Sequence, residues 1–115
     1  MSLEQGLIDR FTKDVSALVK GGTDVLVAIN TTAKTVVSEA ADFGEDLVFA
    51  AGGVVQGAIA VAGGTAVTFE KAAEAAANGA VDAASSVSTN AASRVRDAVV
   101  GSIKGVKVIV TTVVD

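Results

Sequence analysis

The sequence predicts an all-α protein: one long continuous helix that joins copies of itself in a parallel, nearly straight or slightly right-handed oligomer, a bundle or barrel. Three observations carry that prediction. Apolar residues recur every eleven positions along nearly the whole chain. The recurrence passes through each Gly-Gly pair without losing phase. The apolar half of the 115 residues is mostly Ala and Val, with only four Phe and no Tyr or Trp, so a lone domain would have a thin core and needs partners. The alternative within the same class is a helical hairpin broken near Gly52-Gly53 or Gly63-Gly64.

Stepping by eleven from Leu7 meets Leu18, Ile29, Ala40, Ala51, Ala62, Ala73, Ala84, Val95 and Val106. From Phe11 the steps are Gly22, Ala33, Gly44, Val55, Ala66, Ala77, Ser88, Val99 and Val110, all small or apolar. From Leu3 they include Val25, Val36, Leu47, Ala58, Phe69, Ala80, Ala91 and Val113, interrupted by Asp14 and Ser102. From Glu4 they include Val15, Leu26, Val37, Val48, Ile59, Val81, Ala92, Ile103 and Val114, with Glu70 as the internal exception. Eleven residues over three turns is about 3.67 per turn, close to a relaxed helix, so these series form one stripe and mark the expected oligomer core. A turn ordinarily resets such a phase. An unbroken helix from about residue 5 to 113 would be roughly 160 Å long. It cannot stand alone, because each of its twelve glycines costs roughly 1 kcal/mol relative to Ala.

Residues 1–46 read as a charged amphipathic segment, with Asp9, Lys13, Lys20, Asp24, Asp42 and Asp46 bringing both signs of charge to the polar side. Asp14, in a core position, marks a splayed N-terminal portion. Residues 47–69 carry no charge, and as helix they would extend about 34 Å against roughly 30 Å of bilayer hydrocarbon, so they are the candidate membrane span. Gly53, Gly57, Ala58, Ala62 and Gly64 supply the small residues at four-residue spacing that close helix packing favours, while Gln56 weakens the hydropathy. Lys34 and Lys71 flank the window evenly, so no orientation can be read.

Residues 70–115 resume the amphipathic pattern. Glu70 sits in a core position at the window's border; in a parallel oligomer it would form a ring of carboxylates around a lumen, but a solvated border residue is the preferred reading. Arg94, Arg96, Lys104 and Lys107 are read as a solvated face before a headgroup-binding one. The last stretch, 106–115, is read as helix on its phase, with strand as a rival on its β-branched content.

A net charge of −4 with no basic stripe and no stacking platform argues against nucleic acid. Without His or Cys there is no zinc site or thiol chemistry, and the Gly-Gly pairs lack the spacing of a phosphate loop. No enzyme, cofactor or metal is expected. The N-terminal stretch has no apolar core of a secretory signal peptide.

The pattern resembles hendecad coiled coils, a class that implies self-association and no particular activity. VTFEKAAEAAANGAVDAASSV (67–87) also resembles, in texture, the eleven-residue repeats of synucleins and the Ala-rich helices of phasins, which coat lipid or polymer surfaces; no KTKEGV motif is present. The functional expectation is a self-assembling, non-enzymatic structural protein of more than two chains, integral to a membrane and enclosing a pore or lumen. The alternatives are a cytoplasmic, surface-bound coat on lipid or hydrophobic granules, and a soluble helical polymer.

Overall fold

Asp24, Asp46 and Thr68 stand at intervals of 22 residues, and each caps the start of a helix. In each case a side-chain oxygen accepts backbone N–H groups that the first helical turn leaves unpaired. The Asp24 carboxylate accepts from Leu26 and Val27 at 3.1 and 3.4 Å, and the Asp46 carboxylate from Val48 and Phe49 at 2.9 and 3.3 Å. The Thr68 hydroxyl accepts from Lys71 at 3.2 Å. The computed structural model describes residues 3–112. Its elements are α1 (Leu3–Lys20), α2 (Val25–Asp42), α3 (Leu47–Ala62), α4 (Phe69–Ser85) and α5 (Thr89–Val99), followed by strands β1 (Gly101–Ile103) and β2 (Val106–Val108).

The all-α expectation therefore holds in outline, and the single continuous helix does not. The chain doubles back into a bundle 34 Å in its longest dimension. The phase survives because helix plus turn repeats at twice eleven residues. Alternate members of the Phe11 series show how: Phe11, Ala33, Val55, Ala77 and Val99 are buried, while Gly22, Gly44, Ala66 and Ser88 occupy the connections. The first two connections are built alike. Gly22 and Gly44 adopt φ of +104° and +71°. Each lets the following N–H reach back over the helix end, from Thr23 to the Leu18 carbonyl at 3.0 Å and from Glu45 to that of Ala40 at 2.8 Å. Of the breaks expected for a hairpin, Gly63-Gly64 lies in the α3–α4 connection, whereas Gly52-Gly53 lies within α3.

Helices α3 and α4 form the centre. α4 packs on α2, α3, α5 and β2, while α3 also touches α1, α2 and α5. This explains the uncharged window: α3 is surrounded by protein. Its 16 residues span about 24 Å, and among the described residues no helix is long and apolar enough to cross a membrane. The proposed span over 47–69 is corrected accordingly, since the helix stops at Ala62 and residues 63–68 turn.

Most of the expected core residues face this centre. Phe11, Val15, Ile29, Val36, Val37, Val55, Ala62, Ala73, Ala77, Val81, Val95, Val99 and Val106 are buried. Leu7, Leu18, Val25, Leu26, Leu47, Ile59, Ile103 and Val110 are half-buried. Val48, Ala66 and Phe69 are exposed, because they fall at helix starts or in a connection. The small residues act where backbones approach. A Cβ on Gly53 would fall 1.9 Å from Leu7 Cδ2, and one on Gly57 would fall 2.5 Å from Phe11 Cδ1. Ala58 is buried too, while Gly64 is exposed in a connection and packs no helix.

In the C-terminal stretch, expected to be helix, Val106–Val108 form a strand and none of the described residues is helical. Lys104 and Gly105, with φ of +53° and +78°, form the two-residue turn that joins β1 to β2. Val106 and Val108 then face α4. Beyond β2, the Asn78 carbonyl accepts N–H bonds from Thr111 and Thr112 at 2.9 and 3.1 Å, and its amide donates to Thr111 Oγ1 at 2.9 Å. Val113 and Val114 lie outside the described residues.

Gly52 and Gly79 offer a paired test. A Cβ at Gly52 meets nothing within 4 Å, so Gly52→Ala is expected to stabilise by about 0.5–1 kcal/mol through helix propensity. At Gly79 it would lie 2.6 Å from the Asn30 carbonyl oxygen, so Gly79→Ala is expected to cost about 1–3 kcal/mol. Thermal unfolding of both variants reads the difference; equal effects would contradict the close α2–α4 approach.

Candidate functional site

The four Phe are the chain's only aromatic residues, and three of them are on the surface: Phe43 is 76% exposed, Phe49 43% and Phe69 46%. Only Phe11 is buried in the core. This inverts the usual use of aromatic residues, which supply core area. Phe43 and Phe49 share one end of the bundle, where α2 and α4 finish and α3 and α5 begin. Val48 and Val87 are exposed at the same end, at 37% and 54%.

The α2–α3 connection holds these groups outward. Phe43 follows the last residue of α2 and donates its N–H to the Glu39 carbonyl at 3.0 Å. Gly44 then reverses the chain, and the Asp46 cap fixes the first turn of α3, which carries Val48 and Phe49. Between Phe43 and Phe49 opens a groove of about 780 Å³, walled by Leu7, Val36, Ala40 and Ala50 and edged by Arg10, Glu39, Glu45 and Asp46. On the other side of the turn lies a shallower hollow of about 850 Å³ reaching Val48, Val87 and Arg94.

Charge at this end is mixed but acidic, with Glu39, Asp42, Glu45 and Asp46 against Arg10 and Arg94. Arg10 is engaged. Its guanidinium bonds Glu39 on α2 and lies 3.6 Å from Asp14 on its own helix. The hydrogen bond to Glu39 raises the Arg10 pKa further above its ordinary value, with partial burial acting in the opposite sense. The pair is half-exposed, so its contribution is that of a surface bridge whose main effect is to orient α1 against α2. Asp14, expected to mark a splayed segment, instead lies on an ordered helix beside Arg10.

Glu70 is exposed in the first turn of α4, where a carboxylate complements the helix dipole, so its placement matches a solvated residue at a helix start. Arg94, Arg96, Lys104 and Lys107 are all exposed on α5 and the hairpin. Among the described residues, no three acidic side chains are grouped to hold a metal ion. Phe43 and Phe49 were missed by the periodic reading because neither belongs to the apolar stripe. The signal was there: Phe49 falls on the polar side of the repeat, Phe43 lies within the acidic run Asp42, Glu45 and Asp46, and Phe49 follows it. The chain matches no protein-family model, curated protein or solved structure.

Two substitutions separate the scaffold of this end from its surface. Asp46→Ala removes the cap and is expected to cost about 0.5–2 kcal/mol in thermal unfolding. Phe43→Ser is expected to change stability by less than about 0.5 kcal/mol, as at other exposed positions. It should also reduce binding of a hydrophobic dye such as ANS. A Phe43→Ser variant as destabilised as Asp46→Ala would place Phe43 in the core.

Proposed function

We propose that the protein is a non-enzymatic peripheral coat that attaches to low-charge lipid surfaces through the end of the bundle bearing Phe43 and Phe49. The observation that carries this reading is the outward placement of three of the four aromatic residues in a chain whose core is Ala and Val. An isolated exposed apolar residue needs no explanation, but a cluster of Phe43, Val48, Phe49 and Val87 around two hollows does. Two exposed phenylalanines at one end of the bundle can enter a headgroup layer without any helix crossing the bilayer. The acidic surround favours neutral lipid over anionic lipid. Sequence texture supports the same reading, through its likeness to helices that coat lipid and polymer surfaces.

Flotation with phosphatidylcholine vesicles tests this. The protein is expected to float, to be released by carbonate, and to bind less well as anionic lipid is added. The double variant Phe43→Ser/Phe49→Ser is expected to bind at least tenfold more weakly, since fully burying one Phe contributes about 1.5–3 kcal/mol. Carbonate-resistant protein would overturn the peripheral reading in favour of integration. Protein that stays at the bottom and sediments as a discrete multimer would replace it with self-assembly.

A further inference from the structure

Most of the residues buried in the bundle are residues that a straight helix would carry on one stripe. Ile29, Ala51, Ala73 and Val95 come from α2, α3, α4 and α5; all four are buried and all belong to one eleven-residue series. Phe11, Ala33, Val55, Ala77 and Val99, one from each of the five helices, do the same in a second series. A bundle does not require this. Each of its helices needs an apolar face, but the phase of one helix relative to the next is free, because the turns absorb any offset. Here the connections differ in length, from three residues (86–88) to six (63–68), yet the phase is kept across all of them.

Gln56 supplies an independent observation. Its Oε1 is buried in the bundle with no hydrogen-bond partner, which folded proteins generally avoid. In the eleven-residue frame Gln56 lies on the polar side, in the series of Thr12, Thr23, Lys34, Glu45 and Asn78. A straight helix with its stripe on an apolar surface would give that oxygen to water. The first two turns also hold their glycines by backbone conformation alone: Cβ atoms at Gly22 and Gly44 would meet nothing within 4 Å, and only the positive φ disfavours a side chain. Finally, the core to be opened is small in its side chains. Phe11 and Ile29 are the only fully buried residues larger than Val among the described residues.

We propose that the bundle opens on low-charge lipid by straightening its turns, so that the residues now facing the core lie on the surface as one extended amphipathic helix. This rests on the peripheral-coat reading and adds the form in which the chain binds. The cluster at Phe43 and Phe49 makes the first contact, and the stripe from Leu7 to Val99 replaces protein contacts with lipid contacts. The polar side, with both signs of charge, stays in water.

The chain has no Cys, so an engineered pair forms the sole disulfide. A Cβ at Gly53 lies 3.7 Å from Leu7 Cβ, within the roughly 3.5–4.5 Å that a disulfide needs. In Leu7→Cys/Gly53→Cys the oxidised protein is tied from α1 to α3 and cannot straighten its first two turns, while the reduced protein can. Partition onto phosphatidylcholine vesicles is expected to fall at least tenfold on oxidation and to recover on reduction. The helical circular-dichroism signal should rise on binding only in the reduced form. Gly22→Ala/Gly44→Ala, which disfavours the turns and favours helix through them, is expected to raise partition severalfold. Equal partition of the oxidised and reduced forms, or a Gly→Ala pair that binds no better than the parent, would overturn opening and leave a rigid bundle docking by its end. A parent protein that does not partition at all would overturn the coat reading itself.

Discussion

Close approach of helix backbones is the constraint on which the rest of this structure depends. α3 and α4 are each in contact with at least three other elements, and large side chains all round would hold their neighbours too far away for one short chain to surround them. Glycine solves this where contact is tightest. Gly53 and Gly57 admit Leu7 and Phe11 from α1, and Gly79 brings α4 against the backbone of α2 at Asn30 and Lys34. Alanine lines the remaining α4 contacts at Ala72, Ala73, Ala76, Ala77 and Ala80. The energetic consequence follows from size: small buried side chains remove little apolar area each, so stability comes from many near contacts and few large ones.

Polar groups are arranged around that centre. Lys34 and Asp82 bridge α2 and α4 at 3.4 Å on the surface, and the Asn30 amide donates to the Ala75 carbonyl at 3.0 Å across the same pair of helices. Each is modest alone, but they fix the register in which the glycine contact can form. Arg10 performs a similar service between α1 and α2. The ordering is therefore packing first and polar registration second, with aromatic area left over for the outside.

The helical class and the buried face of every helix were legible in the sequence, because the eleven-residue stripe reports a real interface. What covers the stripe was not legible. Periodicity identifies which residues leave water and is silent on whether lipid, another chain or a neighbouring helix of the same chain receives them. The turns were hidden by their length: a connection that keeps helix starts 22 residues apart leaves no break in an eleven-residue pattern. Local chemistry did mark them, since Asp24, Asp46 and Thr68 are N-cap residues and Gly22 and Gly44 are helix-ending glycines. At the C-terminus, β-branched content outweighed phase once Gly101 and Gly105 were free to take positive φ. The candidate site was the least legible part, for Phe43 and Phe49 stand outside the repeat and acquire meaning only when the α2–α3 turn brings them to one end.

The Asn78 clamp and the strand beneath it bear on the order in which the protein is made. α4 emerges from the ribosome after α1 to α3, and its outer face is finished by Val106, Val108 and Thr111, which emerge later still. The surface of α2 that receives Gly79 must therefore wait for some forty residues of synthesis, about 2–8 s at common elongation rates. A nascent chain that already carries α2 leaves that surface uncovered for the interval. Residues 106–112 act as a latch, and the bundle becomes complete only once they have been made.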